Sequence, residues 1–303
     1  MRRPSLVDLA RLAGAVLLLA VRPGLGNTLP AKLPLPACVE SAACIAVGKV
    51  TAIEDKSVMA PPFRGATVKI EYRIAVVKVD ESLKGGTGLT HVRIAFQPPP
   101  PPVKPVEMPG VFVTPVPPSP LKMLAVGNEG CFLLKRFGDE PFYRIVDSNY
   151  NDYVAKGDRD FDNRMTLVKR SLKLLSDPDA GLRSKDAADR LLTAYLLLTR
   201  YQAAAGPKAK AEPIEAAQSK LILEALAGAD WSRPDMPGEQ VTPRGVFQML
   251  RLTARDGWTA PQQGPMQDVR LFLKDWDTAA QKWLKDNSAT YRIRRWLPET
   301  AEK

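Results

Sequence analysis

The chain has 303 residues, which is enough to bury two hydrophobic cores, and 43 basic against 33 acidic residues give it a formal net charge of +10. One histidine excludes a metal site built from several histidines within one chain, and three cysteines exclude a framework of several disulfides. The positive charge is spread along the chain, which excludes an extreme polycation.

The first 26 residues have the pattern of a secretory signal peptide. Arg2 and Arg3 form a basic start, residues 12–21 form an apolar run, and residues 24–26 supply small side chains for cleavage after Gly26. The apolar run is about half as long as the roughly 20 residues that a membrane-spanning helix needs. We therefore predict a secreted or periplasmic protein without a transmembrane segment in the mature chain.

Cys38, Cys44 and Cys131 are candidates for a disulfide. An oxidising compartment favours disulfides over reactive thiolates or reduced zinc ligands. Three cysteines allow one bond and one remaining thiol, and the sequence leaves the pairing open. A bond from Cys38 or Cys44 to Cys131 would close a long loop, whereas a bond between Cys38 and Cys44 would close a small ring.

Residues 27–150 are predicted to form a small closed β-barrel or a sandwich. Strand patterns occur at 45–53, 68–79, 90–96, 131–137 and 142–146, without a long helix between them. A one-residue shift of the apolar phase predicts a bulge near Val76. His91 alternates with apolar residues on its strand and is expected to face solvent. A proline-rich insert at 97–120 is expected to be a solvated loop, with a ligand for another domain as the alternative.

Residues 151–303 are predicted to be all-helical, as a compact bundle or a short helical-repeat array. Five helix starts are predicted, at Asp162, Ser184, Pro213, Pro243 and Pro265. The last helix carries an apolar stripe of Val269, Phe272, Trp276, Ala280 and Trp283. The predicted fold class is therefore α+β and multidomain, with a small barrel followed by a helical domain.

Asp158, Asp160 and Asp162 are the candidate metal site, because oxygen-rich side chains at alternate positions suit a hard cation. Asn163 and Lys169 depart from the calcium-loop pattern, which needs glycine and a bidentate glutamate at those positions. The favoured interpretation is an interdomain connection that ends in a helix cap. Weak calcium binding is the one cofactor hypothesis that the sequence leaves open.

A basic segment near the C-terminus is the candidate surface for anionic partners. Basic side chains are interleaved with aromatic ones there, a combination that can hold anionic chains. The basic residues are Lys282, Lys285, Arg292, Arg294 and Arg295. The favoured interpretation is a packing element with a charged outer face. For an exported protein, an anionic envelope polymer is a more plausible partner than nucleic acid.

The first domain resembles the netrin-like OB-fold module of the tissue-inhibitor-of-metalloproteinases type. The resemblance rests on Cys38 ahead of "CIAVGKVTAI", then "YRIAVVKVDESLKGG", "HVRIAF" and "VGNEGCFLLKRF", about a third of the chain. It implies a five-stranded barrel, a disulfide, and a protein-binding or polymer-binding role. In the protease inhibitors of that family, the mature chain begins at a cysteine whose amino group binds the target's zinc. Here the predicted cleavage leaves residues 27–37 ahead of Cys38, so that mechanism is not expected.

The sequence therefore predicts an exported, non-enzymatic binding or scaffold protein of the cell envelope or extracellular space. Its expected partner is an envelope protein or an anionic polymer. The alternative is an extracytoplasmic hydrolase that uses a carboxylate or metal site at Asp158, Asp160 and Asp162. The helical region resembles the tails of exported bacterial proteins of unknown function, and that likeness implies no activity.

Overall fold

The structure is a computed structural model that describes residues 32–62, 66–97, 122–138, 140–147, 152–203, 209–232, 241–264 and 268–297. From Lys32 onward these residues belong to one compact unit. The predicted signal peptide at 1–26 lies outside the described residues, as does the proline-rich insert apart from Gln97. The domain boundary near residue 150 stays a prediction.

Strands come first in the chain and helices follow, with a small second sheet among the helices. The strands are β1 (Cys44–Ile53), β2 (Val58–Ala60), β3 (Ile70–Lys84), β4 (His91–Phe96), β5 (Glu129–Arg136), β6 (Tyr143–Ile145), β7 (Val154–Ala155), β8 (Lys210–Pro213) and β9 (Arg294–Leu297). The helices are α1 (Leu35–Ser41), α2 (Phe161–Ser176), α3 (Pro178–Leu182), α4 (Ala187–Gln202), α5 (Ala216–Ala227), α6 (Pro243–Gln248) and α7 (Val269–Asn287).

Five of the strands close into a β-barrel. The pairs β1–β3, β3–β4, β5–β6 and β5–β1 are antiparallel, and the parallel pair β4–β6 completes the ring. β2 extends β3 and β7 extends β5 outside this ring. The prediction of five barrel strands and an α+β fold is confirmed.

Two glycines mark close approaches between strands of the sheet, Gly48 where β1 meets β3 and Gly130 where β5 meets β7. Gly48 on β1 is directly opposite Gly130 on β5. A Cβ atom added at Gly48 would lie 2.1 Å from the carbonyl oxygen of Lys78, and one added at Gly130 would lie 2.2 Å from that of Val154. Because both contacts are with backbone, only glycine allows this close approach.

The barrel bends where the register between β1 and β3 shifts. The pairing passes from Val50 opposite Val77 to Ala52 opposite Val76, so Thr51 is the extra residue. The Thr51 hydroxyl donates to the Val76 carbonyl at 3.2 Å. The irregularity predicted near Val76 is therefore present, and the extra residue belongs to β1.

Buried side chains form four clusters: a core inside the barrel, a core among the helices, a contact layer between the two, and a smaller cluster around Tyr72, Ile74 and Phe137. The barrel interior is filled by residues such as Phe96, Phe132 and Leu134, as expected for five strands. The contact layer joins α1 and α2 to the outer face of β5 and includes Val39 and Val168, both fully buried. Helix α1 thus packs against both the strands and the helices.

The helical region also contains a two-stranded sheet, so the prediction of an all-helical region is incomplete. β8 pairs with β9, and Pro213 ends β8 where the sequence predicted a helix start. Helix α5 begins three residues later, at Ala216. The predicted start at Pro243 is confirmed, because the Thr242 side chain accepts a hydrogen bond from the Gly245 N–H at 3.1 Å.

The helices predicted to start at Ser184 and Pro265 begin a few residues later and are capped by aspartates, and Pro265 itself lies outside the described residues. Asp186 caps α4 by accepting from the Ala188 N–H, and Asp268 caps α7 by accepting from the Arg270 N–H. The apolar stripe of α7 is buried at Trp276, Ala280 and Trp283, but Val269 is exposed. Among the described residues, no helix is long and apolar enough to cross a membrane.

Candidate functional site

The three aspartates predicted as a metal site do not converge on one point. The half-buried Asp158 carboxylate lies 2.9 Å from the Lys122 ammonium and 3.5 Å from the Arg164 guanidinium. Asp160 and Asp162 are exposed at the start of α2, where a negative charge is favourable beside the helix dipole. The predicted cap at Asp162 is wrong, because α2 begins at Phe161 with Asp160 before it.

Asp152, which the sequence analysis did not select, is the centre of an ion-pair cluster between the barrel and α2. Its carboxylate lies 2.9 Å from the Arg164 guanidinium, 2.8 Å from the Lys32 ammonium and 3.4 Å from that of Lys122. The side chains of Asp152 and Arg164 are only 9% and 12% exposed. Burial alone would raise the pKa of Asp152, but the bonded Lys32 and the charges of Arg164 and Lys122 hold it below its usual range.

A second buried carboxylate, Asp147, fixes the entry to α1. Its side chain is almost fully buried and accepts a hydrogen bond from the Leu33 backbone N–H at 3.1 Å. Burial raises the pKa of Asp147, with the nearby Asp152 acting in the same direction. Together, Asp147 and Asp152 join the chain before α1 to the end of the barrel, which is a structural role.

The three cysteines are buried thiols in this structure, and no bond joins any two of them. The register places Cys44 opposite Leu134 and Cys131 opposite Val47, so Cys44 faces the barrel core while Cys131 faces the helices. Side chains on opposite faces of a sheet are poorly placed for a disulfide. Burial raises the pKa of Cys38 and that of Cys131 to about 12, which disfavours a reactive thiolate. The disulfide stays a prediction.

The basic residues near the C-terminus lie on two elements and are largely engaged in ion pairs. Lys282 pairs with Asp286 one turn along α7 at 2.6 Å. Arg294 lies 3.6 Å from Asp256, and Arg295 pairs with Glu212 across the β8–β9 sheet. Lys285 and Arg292 are exposed. Basic side chains that are paired with carboxylates attract an anionic polymer less than unpaired ones do. This surface is therefore a weaker candidate for anion binding than the sequence indicated.

A cleft of about 600 Å³, which we call the helical cleft, lies where α2, α4 and α6 meet near the start of α1. Most of its lining is aliphatic, as in many ligand pockets. The lining residues are Pro36, Leu167, Arg170, Asp186, Ala187, Ala188, Leu191, Leu192, Ala229, Asp230, Val241, Thr242 and Pro243. None of the three predicted metal ligands is among them.

The polar groups of the helical cleft form a fixed arrangement. The Arg170 guanidinium donates to Asp189 at 2.6 Å and to Asp186 at 3.2 Å. The Asp186 side chain also caps α4, and the Thr242 side chain caps α6. Asp230, the remaining charged residue of the lining, accepts hydrogen bonds from Ser232. Because capping, ion pairing and hydrogen bonding occupy these groups, their arrangement suits binding and orienting a ligand better than proton transfer.

Comparison of the chain with protein-family models, curated proteins and solved structures found no match. In the described part of the chain, no three metal-ligating side chains lie together. His91 is exposed, with its Nδ1 atom 3.2 Å from the Thr90 hydroxyl. The functional assignment must therefore rest on the geometry of the site.

Sequence reasoning missed both the Asp152 cluster and the helical cleft. The partners of Asp152 lie at Lys32, Lys122 and Arg164, too far apart in the chain for a local motif. One weak local feature of the sequence indicates the cleft. Ala187 and Ala188, which follow the Asp186 cap, have small side chains that leave space beside the start of α4.

Proposed function

We propose that this is an exported, non-enzymatic binding or scaffold protein of the cell envelope or extracellular space, with the helical cleft as its principal binding site. The proposal rests on the mainly aliphatic cleft of about 600 Å³, in which Arg170 is paired with Asp186 and the third charged group, Asp230, accepts a hydrogen bond from Ser232. Such a site favours burial of an apolar surface with a polar group at its rim. An apolar side chain or segment of an envelope protein fits this chemistry.

In this function the barrel is an OB-like module that supports the cleft. The ring order β1–β3–β4–β6–β5, with one parallel pair between β4 and β6, supports this assignment. The barrel interior is filled by its own side chains, so a ligand would bind outside it. The helical region is then a compact bundle around α4, whose residues 192–198 are all buried.

The hydrolase hypothesis receives no comparable support. A pair of catalytic carboxylates should face a common pocket, but Asp158 is paired with Lys122 and Arg164 while Asp160 and Asp162 are exposed. Their arrangement supports a role in anchoring the start of α2 against the barrel.

Filling the helical cleft should abolish partner binding. Ala188 lines the cleft as the second residue of α4, so Ala188→Trp would place a large ring in it. Ala217 is the matched control, because it is exposed at the second position of α5 and lies outside the cleft lining. The full chain and both variants would be immobilised and exposed to an envelope fraction of the source cell.

We expect the unmodified chain and Ala217→Trp to retain the same envelope protein and Ala188→Trp to lose it by about tenfold or more, the loss of about 1.4 kcal/mol of binding free energy. Equal retention by all three proteins would contradict the assignment of the cleft. Conversion of an envelope component into a product by the unmodified chain would favour the hydrolase.

A further inference from the structure

Two basic residues lie directly opposite each other on neighbouring barrel strands. Lys135 on β5 pairs in register with Arg144 on β6, and both point away from the barrel core. Directly opposed residues have Cβ atoms about 4.5–5.5 Å apart, and like charges at this position destabilise a sheet. The two opposed positive charges therefore destabilise the sheet unless a negatively charged group lies between the two side chains.

Both side chains are half-buried, which increases that cost. The Lys135 ammonium donates to the Val146 carbonyl at 3.0 Å, and the Arg144 guanidinium donates to the Pro62 carbonyl at 2.6 Å. Burial lowers the pKa of Lys135, and the charge of Arg144 lowers it further. Burial also lowers the pKa of Arg144. Among the described residues, these two carbonyls and the Tyr72 phenol oxygen still leave several N–H donors of the two groups without a protein partner.

Other half-buried arginines of the chain have carboxylate partners. Arg244 forms a bidentate pair with Asp277 at 2.7 and 3.0 Å, and Arg93 forms one with Glu54 at 2.7 and 2.8 Å. Across the described residues, no carboxylate lies within 4.0 Å of the Lys135 ammonium or the Arg144 guanidinium. Asp147 acts on Lys135 only through space.

The surroundings of Arg144 are those of a shaped site. The guanidinium lies over the Phe137 ring at 5.3 Å, which fixes its plane, and the Tyr72 ring packs edge-on against Phe137 at 5.0 Å. The Arg144 guanidinium also donates a hydrogen bond to the Tyr72 phenol oxygen, so the phenol lies beside the guanidinium and its own O–H stays available as a donor. A hydroxyl, a planar guanidinium and an ammonium are the donors that an oxyanion requires.

We propose that Lys135 and Arg144 form a binding site for an oxyanion, a phosphate or carboxylate group of a ligand, which lies between the two side chains on the outer face of the barrel. A bound oxyanion removes the like-charge repulsion and pairs with the guanidinium fork through two parallel hydrogen bonds. This site is separate from the helical cleft and does not depend on the function proposed for it, since neither residue lines the cleft.

Isothermal titration of the full chain with inorganic phosphate, and separately with acetate, tests this site at an ionic strength held constant with chloride. We expect saturable binding of at least one anion. Binding of phosphate alone would indicate a ligand with a phosphate group, and binding of acetate alone would indicate a ligand with a carboxylate. Lys135→Gln removes a charge-assisted hydrogen bond to the anion, and Arg144→Lys removes the planar guanidinium fork. Each variant should weaken anion binding by about tenfold.

Lys78→Gln is the matched control, because Lys78 is an exposed lysine on the same barrel, opposite Lys49 and His91 in the register. This variant should bind as the unmodified chain does. Near-ultraviolet circular dichroism would establish that each variant is folded. If Lys135→Gln does not fold, Arg144→Lys still tests the site, because it preserves the positive charge. Absence of saturable binding to either anion, or equal loss in Lys78→Gln, would overturn the proposal. Ala188→Trp should bind the anion normally, which separates this site from the cleft.

Discussion

Replacing Arg164 with methionine should lower the free energy of unfolding by about 3 kcal/mol, near the lower end of the range for breaking a buried ion pair. Arg164 is the least exposed cation of the Asp152 cluster, and its loss leaves a carboxylate that is 9% exposed with only two more exposed lysine partners, Lys32 and Lys122. Urea unfolding monitored by circular dichroism would measure the difference, since the slope should remain unchanged.

A matched control for Arg164 is Lys156, which pairs with Glu129 at 2.9 Å but is 66% exposed. Lys156→Met should change the unfolding midpoint far less, because surface ion pairs contribute little. The double variant Asp152→Asn with Arg164→Met should recover part of the loss, because it also removes the buried carboxylate that has lost its least exposed partner. Equal losses for Arg164→Met and Lys156→Met would show that the cluster does not join the barrel to α2.

Replacing Phe247 with alanine should cost about 4 kcal/mol, within the range for removing a buried aromatic side chain. Phe247 is 2% exposed and lies at the centre of four tryptophans. The centroids of Trp231, Trp258, Trp276 and Trp283 are 4.9 to 6.3 Å from its own. Its removal should therefore lower stability and change tryptophan fluorescence together.

The Phe247 prediction is checked by thermal unfolding followed through fluorescence, with Leu271→Ala as control. Leu271 lies on α7 and is 58% exposed, so its truncation should leave both the midpoint and the emission maximum nearly unchanged. An emission maximum that does not shift in folded Phe247→Ala would contradict the central position of Phe247 among the tryptophans.

The barrel strands were predictable because their signals are local. Alternation of buried and exposed residues over β3 and β4 is visible in the sequence, and the ends of four of the five barrel strands are marked by glycine-rich or polar turns. The burial of Trp276 and Trp283 on α7 was predictable for the same reason, since helical spacing puts them on one face.

The β8–β9 sheet was not predictable by the same reasoning. Its partners, such as Glu212 and Arg295, lie far apart in the chain, and β8 is only four residues long. Pro213 is typical of a helix start in isolation, but here it ends an edge strand, where its missing N–H costs nothing. Pairing with β9 overrode the local preference.

The candidate site was predictable only in part. The calcium-loop pattern groups Asp158, Asp160 and Asp162 because they are close in sequence. It does not take into account positively charged side chains from elsewhere in the chain. Asp158 pairs with Lys122, which lies 36 residues earlier in the chain, and with Arg164 in the first turn of α2. The helical cleft likewise depends on how α2, α4 and α6 pack, which no sequence window contains.

Hydrogen–deuterium exchange tests the central claim, binding without catalysis at the helical cleft, most directly. The full chain would be compared before and after addition of the envelope protein that Ala217→Trp retains. We predict slower exchange in peptides that cover residues 186–192 and 241–246, with no change at residues 158–162 and with the partner intact. Slower exchange confined to residues 158–162, together with cleavage of the partner, would contradict the account.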